Sequence, residues 1–309
     1  MIDGAHAPLF GAIEAGGTKF VCGVGSAALG SLESATIPTR DPDATFADVR
    51  AFFDRAARHG PVGAIGIGSF GPLQLDPAAA DFGQILRTPK PGWTGVDLPG
   101  RVRAFSGVQV ALDTDVNAAA LAEAAAAGPN IGTLAYVTVG TGIGVGIVID
   151  GRPVHGLGHP EAGHMLLRRH EAHAGFAGIC PFHGDCLEGL ASGPAVAAHW
   201  GASPSSFPDA HPFWDMEAYY LAQLCATLFL TVAPMRIVLG GGVMKQQAFF
   251  ARIRARTLHL LGGYVGALDD MAAMDKRIVP PLCAEPPGLI GTYILAERIA
   301  AGGLPRPAE

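Results

Sequence analysis

Charge is scarce in this chain: of 309 residues only 16% are Asp, Glu, Lys or Arg, and the formal net charge is −6. No basic face is available for nucleic acid, so that class of partner is excluded. Aromatic residues are also few, at 7%. Apolar residues are not: the 49% hydrophobic content argues for a packed globular protein and against disorder. Five cysteines, an odd number, do not make a disulfide framework. Met1 to Pro8 includes Asp3 and has no basic region followed by an apolar stretch. A secretory leader is therefore not expected, and the cytoplasm is the expected location. Ala218 to Met235 is an uncharged run of eighteen residues, but Gln223, Thr227 and Thr231 interrupt it and Pro234 closes it. It reads as a buried core helix and not as a membrane span. The P-loop signature GxxxxGK[ST] is missing as well, and Gly140-x-Gly142-x-Gly144 lacks the GxGxxG spacing of the dinucleotide fold.

What the chain does have is glycine in three turns, each entered from an apolar run: Ala15-Gly16-Gly17-Thr18-Lys19, Gly140-Thr141-Gly142-Ile143-Gly144 and Gly240-Gly241-Gly242. A backbone without side chains can bring several N–H groups against phosphate oxygens. A Gly-Gly turn between strands often only closes a hairpin, so a single one decides little. Three, falling in both halves of the chain, point to one polyphosphate.

The surrounding pattern is α/β. Phe10 to Ile13 and Phe20 to Val24 predict a hairpin around the first turn, and Leu134 to Val139 with Val145 to Ile149 predict a second. Apolar residues at helical intervals predict a helix over Phe46 to His59. Val62 to Gly68 reads as a strand ending in the loop Ser69-Phe70-Gly71-Pro72, and Val108 to Leu112 as another. The latter delivers Asp113-Thr114-Asp115-Val116-Asn117 to an Ala-rich helix stopped by Gly128-Pro129. Ala202 to Pro212 reads as an exposed loop, and Cys22, Cys225 and Cys283 as buried thiols. A length near the limit of one core suggests two related domains.

In its ordered set of motifs the chain resembles the ROK sugar kinases, within the actin-like ATPase superfamily. The residues carrying the resemblance are Ile13 to Lys19, Asp115-Val116-Asn117, Gly140 to Gly144, Glu161-Ala162-Gly163-His164, Cys180 to Glu188 and Leu239 to Gly242. The resemblance implies two ribonuclease H-like α/β domains around a central cleft. The first would cover residues 1–117 and the second 118–309, with a last helix at about 288–301 packing back on the first. It implies ATP with Mg²⁺, the phosphates held by Gly16, Gly17, Thr18, Lys19, Gly140, Thr141 and Gly142, and the adenosine near Gly240, Gly241 and Gly242. It also implies a hexose as acceptor and a homodimer, with neither nucleic acid nor membrane as partner.

Asp115 matches the family's catalytic Asp and Asn117 a sugar-contacting Asn. From the residues alone, an Asp at the start of a helix also reads as an N-cap, and Asp113 competes for the catalytic role. A carboxylate of pKa about 4 is ionised at neutral pH and would orient the attacking hydroxyl and accept its proton late. Glu161, His164 and Glu188 match residues that face the sugar.

Cys180, His183 and Cys186 stand at i, i+3 and i+6, and His164 completes a Cys₂His₂ set suited to closed, structural zinc. Casual clustering is the alternative, since His155, His159, His170 and His173 crowd the same region. The metal would fix Glu188, two residues beyond Cys186. Subfamily resemblance in Glu14, Ser69 to Pro72 and Thr88 to Trp93 favours fructose, phosphorylated at its 6-hydroxyl; the residues themselves leave glucose and mannose open. A sugar-sensing regulator of the same family would carry a helix-turn-helix, whereas only about ten residues precede the first strand. A zinc hydrolase would need an open metal position.

Overall fold

The computed structural model describes residues 8–303. The leader reading rests almost wholly on Met1 to Ala7, which lie outside the described residues. The chain divides into two compact units. One comprises the chain up to Ala122, Val154–His159 and the residues from Cys283 onward; the other comprises Glu123–Pro153 and Pro160–Leu282.

The first unit begins with an antiparallel meander of β1 (Leu9–Ala15), β2 (Lys19–Ser26) and β3 (Gly30–Pro38). It continues through α1 (Pro42–Ala56), β4 (Val62–Ser69), α2 (Leu98–Ser106), β5 (Gln109–Thr114) and the start of α3 (Asp115–Ala127). The strand order is β3-β2-β1-β4-β5, with β1, β4 and β5 parallel. β3 alternates exposed and half-buried residues, as expected of a strand with one wet face. Asp41 caps α1, accepting from Ala44 N at 2.9 Å, and Pro42 occupies the first turn. The apolar face of α1 (Phe46, Val49, Phe52, Ala56) packs on the sheet in a core that also holds Phe20 and Trp93. Phe70 and Phe20 flank the Trp93 ring at 5.6 and 5.4 Å, and the Trp93 indole N–H donates to the Arg40 carbonyl at 2.9 Å. Two of the segments behind the fructose expectation thus meet in this core.

The second unit repeats the plan. β6 (Thr133–Val139), β7 (Ile143–Ile149) and β8 (Arg152–Pro153) form the antiparallel meander. There follow α4 (Leu187–Ala191), α5 (Gly193–Trp200), α6 (Phe213–Thr231), β9 (Arg236–Gly240), α7 (Gln247–Leu261), α8 (Met271–Arg277) and β10 (Ile278–Val279). The strand order is β10-β9-β6-β7-β8, again with the central strand parallel to the two that follow later in the chain. Read outward from β1 and β6, the two sheets have one topology. α9 (Pro287–Ala300) returns to the first unit, where Leu289, Tyr293, Ala296 and Ile299 pack on Phe10, Ala12 and Ala64.

The uncharged run lies largely within α6, a buried helix, and no helix among the described residues is long and apolar enough to cross a membrane. The Ala202 to Pro212 segment contains a short 3-10 turn at Pro204–Ser206. Cys22 and Cys225 are buried as expected; Cys283 is only half-buried, because it lies on the connection between β10 and α9 and not within a sheet or helix.

α6 carries one costly group. Both carboxylate oxygens of Glu217 are buried without a hydrogen-bond partner, and burial holds its carboxyl well above the usual carboxylate range. A folded-state pKa above the unfolded one stabilises the fold at pH values below about 4 and loses that contribution as pH rises toward the folded value. Glu217→Met removes the titration and keeps the volume. Its gain in melting temperature over the parent is therefore expected to grow from pH 5 to pH 8 in a calorimetric series; a pH-independent difference would sink this account.

Candidate active site

In the first unit, three chain segments reach the carboxyl edge of the parallel strands at one level. Ala15, Ser69 and Thr114 are successive register partners across β1, β4 and β5. The residues immediately beyond them are the first glycine turn, the Ser69 to Pro72 loop and Asp115. This edge is where open α/β sheets collect ligands. Gly16 N–H donates to the Lys19 carbonyl at 2.9 Å and closes the turn, which leaves Gly17, Thr18 and Lys19 exposed. Glu14, just before the turn, is held above the usual carboxylate range by burial, opposed by the nearby Lys19 charge.

The two readings of Asp115 separate here. The Thr114 hydroxyl accepts from Asn117 N at 3.1 Å, three residues on, which is the N-cap pattern. Thr114 therefore caps α3. Asp115 takes the next amide, Val116 N, onto Oδ1 at 2.8 Å, and the residue is half-buried. Asp113, the competing carboxylate, is 2% exposed and occupied: it accepts from Thr114 N at 2.8 Å and from Asn117 Nδ2 at 2.7 Å.

In the second unit the same edge holds the other two turns. β6 ends at the second turn, where Gly140 N–H donates to Gly142 O at 2.9 Å. Thr138 of β6 pairs with Gly240 of β9, so the third turn begins beside the second. Gly241 sits at φ +94°, and a Cβ there would strike the Val139 backbone, so glycine is required. Ile143 N donates to Glu188 Oε2 at 2.9 Å, tying the second turn to α4. A Cβ at Gly142 would lie 2.7 Å from that same carboxylate oxygen. A side chain at 142 would therefore push the Glu188 carboxylate from its place beside the turn.

Glu161 precedes a 3-10 turn, Ala162–His164, whose first bond runs from His164 N to the Glu161 carbonyl at 2.9 Å. Desolvation and the neighbouring Glu188 charge push the Glu161 carboxyl up to about 7. Two carboxylates therefore sit near each other, and each can accept from a hydroxyl group.

The four residues read as a zinc set converge. Their ligand atoms all lie within 4.8 Å of one another. Cys180 Sγ is 3.6 Å from His164 Nδ1 and 3.7 Å from His183 Nδ1, and Cys186 Sγ is 3.5 Å from His164 Nδ1. Metal–sulfur and metal–nitrogen bonds of about 2.3 and 2.0–2.1 Å at a tetrahedral angle require S···N edges of about 3.6 Å. The donor set fits zinc by both chemistry and spacing. The loop is closed by the Cys180–Gly184 bridge, in which Cys180 N donates to Gly184 O at 3.1 Å and Gly184 N to Cys180 O at 2.9 Å.

One participant escaped the sequence reading. His155 Nε2 lies 3.1 Å from Asp113 Oδ2 and 3.2 Å from Oδ1, so Asp113 and desolvation act oppositely on its pKa and the Asp113 hydrogen bond prevails, raising it. Nothing in its spacing from Asp113, across 42 positions, signals the contact.

The chain matches the ROK family over residues 10–299. It is 39% identical to a fructokinase of Streptococcus mutans over 295 residues, covering 95% of this chain and 99% of that protein. It is 40% identical to a fructokinase of Zymomonas mobilis over 298 residues, covering 93% and 96%. Among solved structures, a ROK hexokinase of Thermus thermophilus superimposes with a TM-score of 0.74 at 25% identity, covering 96% of this chain and all of that one. The two mixed sheets are those of the actin-like ATPase fold of sugar kinases. The chain belongs to the ROK family.

Proposed function

We propose that this protein is an ATP-dependent fructokinase, transferring the terminal phosphoryl group of ATP to the 6-hydroxyl of fructose. The observation that carries the phosphotransfer reading is Asp115: it stands at the carboxyl edge of β5, level with the first glycine turn, while Thr114 does the capping. In this reading Asp115 orients the attacking hydroxyl and accepts its proton as the phosphorus–oxygen bond forms and ADP leaves. Backbone N–H groups at Gly16, Gly17, Gly140 and Gly142, with Thr18, Lys19 and Thr141, hold phosphate oxygens. Gly240, Gly241 and Gly242 admit the adenosine.

Mg²⁺ arriving with ATP supplies charge neutralisation at the phosphates, and the desolvated carboxylate of Glu14 beside the first turn suits a cation held largely through water. Asn117, Glu161, Glu188 and the Nε2 side of His164 receive the sugar. His164 Nδ1, Cys180, His183 and Cys186 hold a structural zinc that leaves no position open for water. Fructose is favoured by relatives that bear that activity in their names at 39–40% identity across nearly the whole chain.

Acceptors placed for one ring leave buried polar groups unpaired with another, at about 1–3 kcal/mol each, or roughly one to two decades in kcat/KM. A coupled assay at saturating MgATP with fructose, glucose, mannose and N-acetylmannosamine is expected to rank fructose first by that margin. An aldose in first place would overturn the choice of sugar and leave the kinase reading standing.

A further inference from the structure

Asn117 is 1% exposed, and its Oδ1 is buried without a hydrogen-bond partner. Its orientation is chemically fixed: Nδ2 donates to Asp113 Oδ1 at 2.7 Å, and the flipped amide would set a carbonyl against a carboxylate. Asp113 in turn is held from three sides, by Thr114 N, Asn117 Nδ2 and His155 Nε2. The His155 ring must donate there, since Asp113 offers only acceptors. His155 lies 3.4 Å from Asn117 Nδ2, so the ring also closes the space into which the amide would turn. It is carried by Val154–His159, a strap anchored a second time where Leu73 N donates to His159 Nε2 at 3.1 Å.

From this arrangement we infer that Asp113 and His155 are positioning residues: together they lock the Asn117 amide so that its Oδ1 is presented as an acceptor to a hydroxyl of the sugar. The inference rests on the sugar-kinase reading and adds to it a specificity device that touches no reacting atom. An orphaned buried acceptor is destabilising and is tolerated where a ligand donor will meet it. Hydroxyl donors are what a hexose offers in abundance.

The two residues act on sugar binding and not on transfer. His155→Ala is expected to raise the sugar KM about three- to tenfold, the worth of one hydrogen bond, with kcat and the KM for ATP within about twofold of the parent. His155→Gln, which keeps an N–H donor for Asp113, is expected to return most of that loss. Asp113→Asn cannot accept from both His155 and Asn117 on fixed oxygens and is expected to raise the sugar KM by about 10–100-fold. Melting temperatures measured alongside identify any variant that fails to fold, and His155, being partly exposed, supplies the mild one.

A sugar KM unchanged in active His155→Ala and Asp113→Asn would overturn the positioning role. So would equal losses in kcat and both KM values, or no rescue by Gln, since a merely structural histidine behaves that way. A parent protein that phosphorylates no sugar would remove the activity reading itself, an outcome separable from all of these.

Discussion

Asp115→Asn is expected to lower kcat by about 10²–10⁴ while the sugar KM changes little. The substitution keeps the size of the side chain and its bond from Val116 N, 2.8 Å in the parent. It removes the capacity to take a proton from the attacking hydroxyl. Because α3 is capped by Thr114, only the modest helix-dipole contribution of the charge is lost with it, so a fall of this size reports chemistry. Rapid-quench single turnovers, which separate transfer from product release, are the suitable measurement. Asp113→Asn serves as the internal contrast, affecting KM where Asp115→Asn affects kcat. A near-normal rate in Asp115→Asn alongside a dead Asp113→Asn would reverse the two assignments.

Removing zinc is expected to have the second-largest effect. The segment from His164 to Cys186 has little regular structure, being mostly turns and single bridges. Under the zinc proposal, metal binding energy stands in for core burial there. Elemental analysis is expected to find one zinc per chain. Exhaustive chelation is expected to lower the melting temperature by about 10 °C or more and to raise the sugar KM in the same samples. The coupling follows from Glu188, which stands in the first turn of α4, two residues beyond Cys186, and receives Ile143 N at 2.9 Å. Cys186→Ser should reproduce both effects. Fully active protein without stoichiometric zinc would end the proposal.

Much of this site was legible in the sequence because its parts are local. A glycine turn, an Asp at a strand-to-helix junction and a Cys-x₂-His-x₂-Cys loop each announce themselves within a few residues. The hairpins around the first and second turns stand where the alternation of apolar residues placed them, at Leu9–Ala15 with Lys19–Ser26 and Thr133–Val139 with Ile143–Ile149. The third strands of the two meanders were not read: β3 turns Leu32 to solvent and Glu33 to its half-buried face, against the usual alternation, and β8 is two residues long. The division of labour between Thr114 and Asp115 was also out of reach, since either can cap a helix and only the bond from Asn117 N decides. His155 was hidden for another reason. Its partner is distant in the chain, and a histidine among several histidines carries no pattern.

The route of the chain between its two units has a consequence for synthesis. The polypeptide leaves the first unit at Ala122, revisits it at Val154–His159 and finishes it only from Cys283 onward. α9 covers Phe10, Ala12 and Ala64, so the amino-terminal sheet emerges from the ribosome with that apolar surface bare until the last helix is made. At about 5–20 residues per second the nascent chain spends many seconds in this half-built state. The second unit, by contrast, is contiguous apart from the strap and can complete itself first. Folding order should therefore run against chain order, with the segment translated last sealing the unit begun first. A ribosome-stalled chain ending before Cys283 is the species in which chaperone contacts would concentrate on β1 and β4.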